Sequence, residues 1–251
     1  MDGTRLPDQD GTQAAPLADA AHVSIRVEPS PPVDATAQAL AVQATLASRV
    51  MVFRRDLLPL SETFVRQQAL GLRGWQALMV GHRFVPDGLD LSGLVAFVVG
   101  PNVVGFVNRL AWTVFRYTGW PASRAVRTLL ATRPRLIHVH FATDAVAAWP
   151  WLEHCDLPIV VTLHGYDVTI RPEYWAAGHE GAAQRDYPAR LRALASEPRV
   201  SFIAVSEAIH DALATSMGLE AVRFVAEHFS LADCTAALER YYTRLSHRHP
   251  R

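Results

Sequence analysis

The chain has 251 residues, half of them apolar, enough for one domain of ordinary size with a substantial core and some excess. Its formal net charge is zero, so no general attraction to nucleic acid or to an anionic lipid surface is implied. All 24 basic residues are arginine, which excludes chemistry that requires a lysine.

The two cysteines, Cys155 and Cys234, have neither metal-site nor disulfide-framework spacing. They read as buried or half-buried thiols in a reducing compartment. The first residues are polar and acidic, without the basic start and apolar run of a secretory signal. The longest apolar stretch, Leu94 to Phe115, is interrupted by Pro101, Asn102, Asn108 and Arg109. A spanning helix needs about 20 mostly apolar residues without such breaks. The expectation is a cytoplasmic protein, with peripheral contact at the inner membrane face left open.

Residues 1–48 are rich in Ala, Asp, Gln and Pro and poor in large apolar residues, so disorder is expected there. Val50-Met51-Val52-Phe53 reads as a buried strand. Pro59 marks a turn, Ser61 is a candidate N-cap, and Val65, Ala69 and Leu72 give the following helix one apolar face, with Gly74 ending it. Ala77–Val80 and Leu94–Val99 read as strands. Helices are expected over Val103–Tyr117 and Ser123–Ala131, and Pro134 precedes a strand at Leu136–Phe141.

The alternation continues with a helix over about Asp144–His154 and a strand at Ile159–Leu163. A polar, aromatic loop follows over Asp167–Gly181. Then come a helix over Tyr187–Ala195, a strand at Ser201–Val205 and a helix capped by Ser206 and stopped by Gly218. Beyond Gly218 no further strand is expected. Leu219–His228 reads as helical, and Ser230 with Asp233 opens a second helix whose apolar stripe is Cys234, Leu238, Tyr241, Tyr242 and Leu245. Continuously apolar strands alternating with helices predict an α/β fold: one doubly wound, Rossmann-like parallel sheet with a helical C-terminal tail.

Ligands of such sheets bind beyond the carboxyl ends of the strands. Three clusters fall there: Leu57–Thr63, Phe141–Asp144 and His164–Thr169. The first opens a helix, whose free N–H groups favour an anion, although Ser61 is equally readable as a cap alone. No glycine-rich phosphate loop is present. His164 stands where an apolar strand ends, followed by Gly165, Asp167 and Thr169. It could bind a sugar hydroxyl or a leaving phosphate, or be satisfied by backbone carbonyls. His138 and His140 share a strand face and, with Asp144, invite a metal reading; no later His/Asp set follows, so no metal is expected. His138 is expected buried and paired, and His140 at the sheet's edge near the cleft. Arg109, Arg116, Arg124 and Arg127 interleave with Trp112, Phe115, Tyr117 and Trp120, as at a lipid interface or on a packed helix with a basic outer side.

Ser61-Glu62-Thr63-Phe64, His138-Val139-His140-Phe141, Thr162-Leu163-His164-Gly165-Tyr166-Asp167 and Ala204-Val205-Ser206-Glu207, in this order and spacing, resemble the N-terminal half of glycosyltransferase family 4. The stretch Arg223–Leu231 resembles that family's last helices. The resemblance implies half of a GT-B architecture, in which two Rossmann-like domains face each other across a cleft. The N-terminal domain holds the acceptor. The C-terminal domain holds a nucleotide sugar, the co-substrate, through a basic residue and a glutamate pair. Transfer retains anomeric configuration without a metal or other cofactor, and the last helix packs back on the N-terminal domain.

Carried over, His164 is the candidate catalytic residue. Ser61, Glu62, Thr63, His140, Asp144, Gly165, Asp167, Ser206 and Glu207 are candidate acceptor or donor-sugar contacts. The family's donor-binding half is missing between Gly218 and the terminal helices, which divides the chain into residues 1–48, 49–218 and 219–251. Two readings follow. One is a transferase half of cell-surface polysaccharide or glycolipid synthesis, taking a sugar or lipid-linked acceptor, weak or inactive alone and served by a separately encoded donor-binding partner. The other is a non-catalytic, internally deleted relative; a metal-dependent hydrolase is a remote third.

Overall fold

The computed structural model describes residues 48–99, 110, 113–115, 118, 124–209, 211, 222–225 and 231–248. The segment expected to be disordered lies outside these residues, apart from Ser48. So does the expected capping box at Ser230. Among the described residues seven strands form one sheet: β1 (Ser48–Leu57), β2 (Trp75–Phe84), β3 (Val95–Val98), β4 (Leu136–His140), β5 (Ile159–Leu163), β6 (Val200–Ala204) and β7 (Val222–Val225). Their order is β3-β2-β1-β4-β5-β6-β7, and every neighbouring pair is parallel. The doubly wound sheet expected from the alternation is therefore present.

Among the longer helices, α1 (Thr63–Gly71) and α7 (Leu231–Arg248) cover one face, and α2 (Arg124–Ala131), α3 (Ala142–Leu152) and α6 (Tyr187–Ala195) cover the other. Two short helices, α4 (Tyr166–Thr169) and α5 (Pro172–Ala176), interrupt the expected loop after β5. Alternate residues of each strand serve opposite cores. Met51, Phe53, Ile137, Val139, Val161 and Leu163 join α3 and α6, whereas Val50, Val52, Leu136 and Val160 join α1 and α7.

The first two strands are longer than their apolar runs. The pairing of β1 with β2 continues through Asp56↔Arg83, whose side chains form an ion pair at 2.7 Å. Two expectations need correction. Ser61 is not an N-cap: Leu60–Glu62 form a 3-10 turn, α1 starts at Thr63, and no side chain caps either element. The turn is set by Glu62, which is drawn inward to Arg54. Residues 222–225 are not helical but form β7, which extends the sheet past the boundary expected at Gly218. Four residues, Val-Arg-Phe-Val, are too few to show a period that separates strand from helix; their pairing with β6 decides.

The C-terminal helix packs as expected. Leu238, Tyr241, Tyr242 and Leu245 are buried against Val50, Val52, Trp75, Val160 and Ile203. The carboxylate of Glu239 accepts hydrogen bonds from the N–H groups of Arg73 at 2.6 Å and Gly74 at 2.8 Å, fastening α7 to the turn before β2. Cys155 is buried and Cys234 half-buried, and the two form no disulfide. Among the described residues no helix is long and apolar enough to cross a membrane. Of the arginine and aromatic residues expected on a possible lipid face, Phe115 is buried and stacks on Trp151, with ring centroids 6.4 Å apart. Arg109, Trp112, Arg116, Tyr117, Trp120 and the side chain of Arg124 lie outside the described residues.

Candidate functional site

The strand order reverses between β1 and β4, with β2 and β3 running outward on one side and β5 to β7 on the other. A crevice opens at such a point beyond the carboxyl ends of the strands. The chain places its charged and histidine side chains there.

Arg54, the residue of β1 just past its pairing with β4, is 8% exposed and carries the cluster. Its Nε donates to Glu62 Oε2 at 2.7 Å, and its Nη1 donates to the His140 carbonyl at 3.0 Å. Its two Nη groups also bond Glu62 Oε1 and Asp144 Oδ2. The guanidinium lies over the Phe141 ring, 4.2 Å from its centroid. Burial works against the Arg54 charge, but the hydrogen bond and charges of Glu62 and Asp144 prevail and raise its pKa. Burial raises the Asp144 carboxyl, while Arg54 and the N–H of Arg55, at 2.8 Å, pull it back. One buried cation between two buried carboxylates ties β1, the 3-10 turn and α3 together.

The second element is a file of three histidines. His138 is buried and paired, as expected: Nε2 meets Thr162 Oγ1 at 2.7 Å, and Nδ1 meets the Tyr242 hydroxyl from α7. His140 does not lie at the sheet's edge. It sits in central strand β4, 2% exposed, with Nδ1 3.2 Å from His164 Nε2 and with Nε2 lacking a hydrogen-bond partner. The rings of His138 and His140 lie 4.3 Å apart, and those of His140 and His164 5.5 Å apart. His164 alone reaches the surface, half-buried between Phe141 at 4.3 Å and Phe64 at 4.9 Å. Burial holds all three neutral at physiological pH, lowering His138 to about 3 and His164 to about 4.

Asp167 shapes the turn that presents His164. Its carboxylate accepts from the N–H groups of His164 at 3.1 Å, Gly165 at 2.9 Å and Ala142 at 2.9 Å. Those bonds offset its burial, which raises its pKa. Gly165 turns with φ +114°, a conformation that side-chain-bearing residues rarely adopt. Phe141 has φ +71°, and its ring is held between Arg54 and His164.

The structure thus brings Glu62, His140, Asp144, His164, Gly165 and Asp167 together. Ser61 and Thr63 are exposed beside Phe64. Ser206 caps the segment after β6, accepting from the Ile209 N–H at 3.3 Å, and Glu207 is exposed. Sequence reasoning missed Arg54; it placed Phe64 and Phe141 in motifs without the packing of both rings on His164, and read Tyr242 as part of an apolar stripe without its bond to His138. The available signal was an arginine continuing the apolar run Val50–Phe53 into a strand end. Among the described residues no group of three or more His, Cys, Asp or Glu is placed to hold a metal ion.

No curated protein matches the chain. Two solved structures of sucrose-phosphate synthase from Thermosynechococcus elongatus resemble it, each with a TM-score of 0.48. One is 16% identical and covers 79% of this chain and 99% of its own. The other is 15% identical and covers 76% of this chain, which spans 52% of that protein. The model of glycosyltransferase family 4 matches residues 68–226, more than half of the sequence, and the chain belongs to that family.

Proposed function

We propose that this chain is the acceptor-binding half of a retaining, nucleotide-sugar-dependent glycosyltransferase, with His164 at the reacting sugar. In the reaction, the bond from C1 of the donor sugar to the diphosphate breaks. An acceptor hydroxyl bonds to C1 on the same face, and its proton leaves with the diphosphate. The observation that carries the reading is the state of His164. It is neutral and half-buried at the switch point, and its Nε2 is taken by His140. No described residue hydrogen-bonds its Nδ1, which remains for a sugar hydroxyl. Asp167 and Gly165 fix the ring's position, and Phe64 and Phe141 shield it from water. Ser61, Thr63, Ser206 and Glu207 line the approach; Glu62, Asp144 and His140 act through Arg54 and His164.

Only residues 226–230 separate β7 from α7, too few to hold a nucleotide-binding domain. The donor site is therefore supplied from outside this segment, by a separately encoded partner in the reading proposed here. Activity of this chain alone is weak or absent. A lipid-linked acceptor of surface polysaccharide or glycolipid synthesis, met at the cytoplasmic membrane face, completes the proposal. The short connection equally favours a second reading, a non-catalytic acceptor-binding protein. The test is transfer from a nucleotide-sugar panel, with and without an added family 4 donor domain. Turnover only with the added domain, lost in His164→Ala, supports the proposal. Turnover of about 1 s⁻¹ or more by the chain alone overturns the partner requirement, and none in either mixture supports the non-catalytic reading.

A further inference from the structure

We infer that Tyr166, Tyr174 and Glu180, on the segment leaving His164, form a subsite for a pyranose ring, the sugar end of the acceptor. The inference rests on the acceptor-binding reading above and gives it a substrate class and an address. The Tyr166 and Tyr174 hydroxyls both donate to Glu180 Oε1, the latter at 2.9 Å. They fix the carboxylate in place, while Oε2 has no protein partner among the described residues.

Tyr166 is 45% exposed, so one side of its ring is open to a ligand. Its ring stands edge-on to Trp175, with centroids 5.9 Å apart, and Trp175 is buried against Tyr187, 4.3 Å away. The exposed ring therefore rests on a rigid support. Tyr174 extends the same wall, with His179 tilted over it at 4.7 Å.

Tyr166 opens the short helix two residues beyond His164, which puts this wall beside the crevice, on the side of Arg55. The Arg55 side chain is half-exposed and lies 3.9 Å from Asp144. The Glu180 carboxyl is lowered chiefly by the hydrogen bonds from Tyr166 and Tyr174, with a smaller contribution from the Arg55 charge. A flat aromatic face beside an anchored carboxylate suits a neutral sugar. The apolar C–H face of the ring covers Tyr166, and vicinal hydroxyls donate to Glu180 Oε2. A phosphate or acidic sugar would meet the Glu180 charge instead.

The experiment uses the whole chain with ring-labelled tyrosines, titrated by NMR with methyl glucoside, methyl mannoside and methyl galactoside, then with octyl glucoside below its micelle concentration. The expected result is a saturable shift of the Tyr166 ring signals by at least one sugar. A dissociation constant of about 1–10 mM fits a ligand of this size. Tyr166→Ala and Glu180→Gln should each weaken binding about tenfold, the loss of one well-placed contact. Tighter binding of the octyl form than of methyl glucoside identifies a lipid-linked acceptor, and equal binding a soluble one. Silence of the wild-type signals with every sugar overturns the subsite, as do Tyr174 ring shifts that persist unchanged in both variants. Transfer with an added donor domain whose acceptor KM is unmoved by Tyr166→Ala sinks the subsite alone. Tyr166 shifts without transfer sink the transferase reading alone.

Discussion

The Tyr242 hydroxyl of α7 hydrogen-bonds Nδ1 of His138 in the middle of the sheet, across 104 positions of sequence. Trp75 packs edge-on against the same tyrosine at 5.3 Å, and Leu238 lies one turn away, 5% exposed. Helix α7 is thus part of the sheet domain's core rather than an appendage. Leu238→Ala removes a buried side chain and leaves a cavity, so stability should fall by about 2–5 kcal/mol. Tyr242→Phe leaves a buried ring nitrogen of His138 short of one partner, at about 1–3 kcal/mol. Denaturant unfolding of both variants checks the claim, and wild-type stability in Leu238→Ala would refute it.

Arg54 makes a sharper test, because it neutralises Glu62 and Asp144 where neither reaches water. Arg54→Met leaves Glu62 without a cation and Asp144 with only the half-exposed Arg55 at 3.9 Å, and a loss of about 3–5 kcal/mol is expected. The triple change Arg54→Met, Glu62→Gln, Asp144→Asn removes the charges together and should recover most of that loss. If the triple variant is no more stable than the single one, packing rather than charge governs the cluster.

How much of this was legible follows the range of the interactions. Strand β5 and helix α6 fall where their apolar runs and flanking breakers put them, at Ile159–Leu163 and Tyr187–Ala195. His164, Gly165 and Asp167 were readable as a site because they are adjacent in sequence and close a strand. Arg54 was not, since its partners lie 8 and 90 positions away and a charge after an apolar run gives no sign of burial. Strand β7 was misread because its four residues acquire an identity only through β6. Nor could spacing place His140, whose burial depends on Phe64 and His164 closing over it.

The histidine file predicts a pH dependence with a definite sign. An unfolded histidine titrates near 6.5, whereas burial holds His164 at about 4 and His138 at about 3, with His140 also well below its ordinary value. Between these limits the unfolded chain binds more protons than the folded one. The stabilisation is full above about pH 6.5 and is lost as pH falls towards 4, by up to about 1.4 kcal/mol per pH unit for each histidine. Asp144 and Asp167, raised by burial, oppose the trend at the acid end. Unfolding free energies at pH 7, 6 and 5 should decline stepwise, and less steeply in His164→Asn. A flat profile would mean that the file is hydrated and titrates normally.

Two glycines should respond to alanine with opposite signs. At Gly165 a Cβ would meet only Ile209 Cδ1, at 3.6 Å, an ordinary contact, so space does not forbid it. The backbone does: φ +114° strains any residue with a Cβ, at about 1–3 kcal/mol. The strain falls on the turn that Asp167 holds, so His164 should move relative to Phe141 and His140. Gly71, the last residue of α1, carries no such φ, and a Cβ there would meet Thr235 at 3.6 Å. Gly71→Ala should therefore stabilise by about 0.4–1 kcal/mol through a less free unfolded chain. Melting temperatures of the two variants decide the matter, with histidine ring NMR reporting on His164. A Gly165→Ala variant that melts with the wild type and leaves the His164 signals in place would show that the turn is not fixed as described.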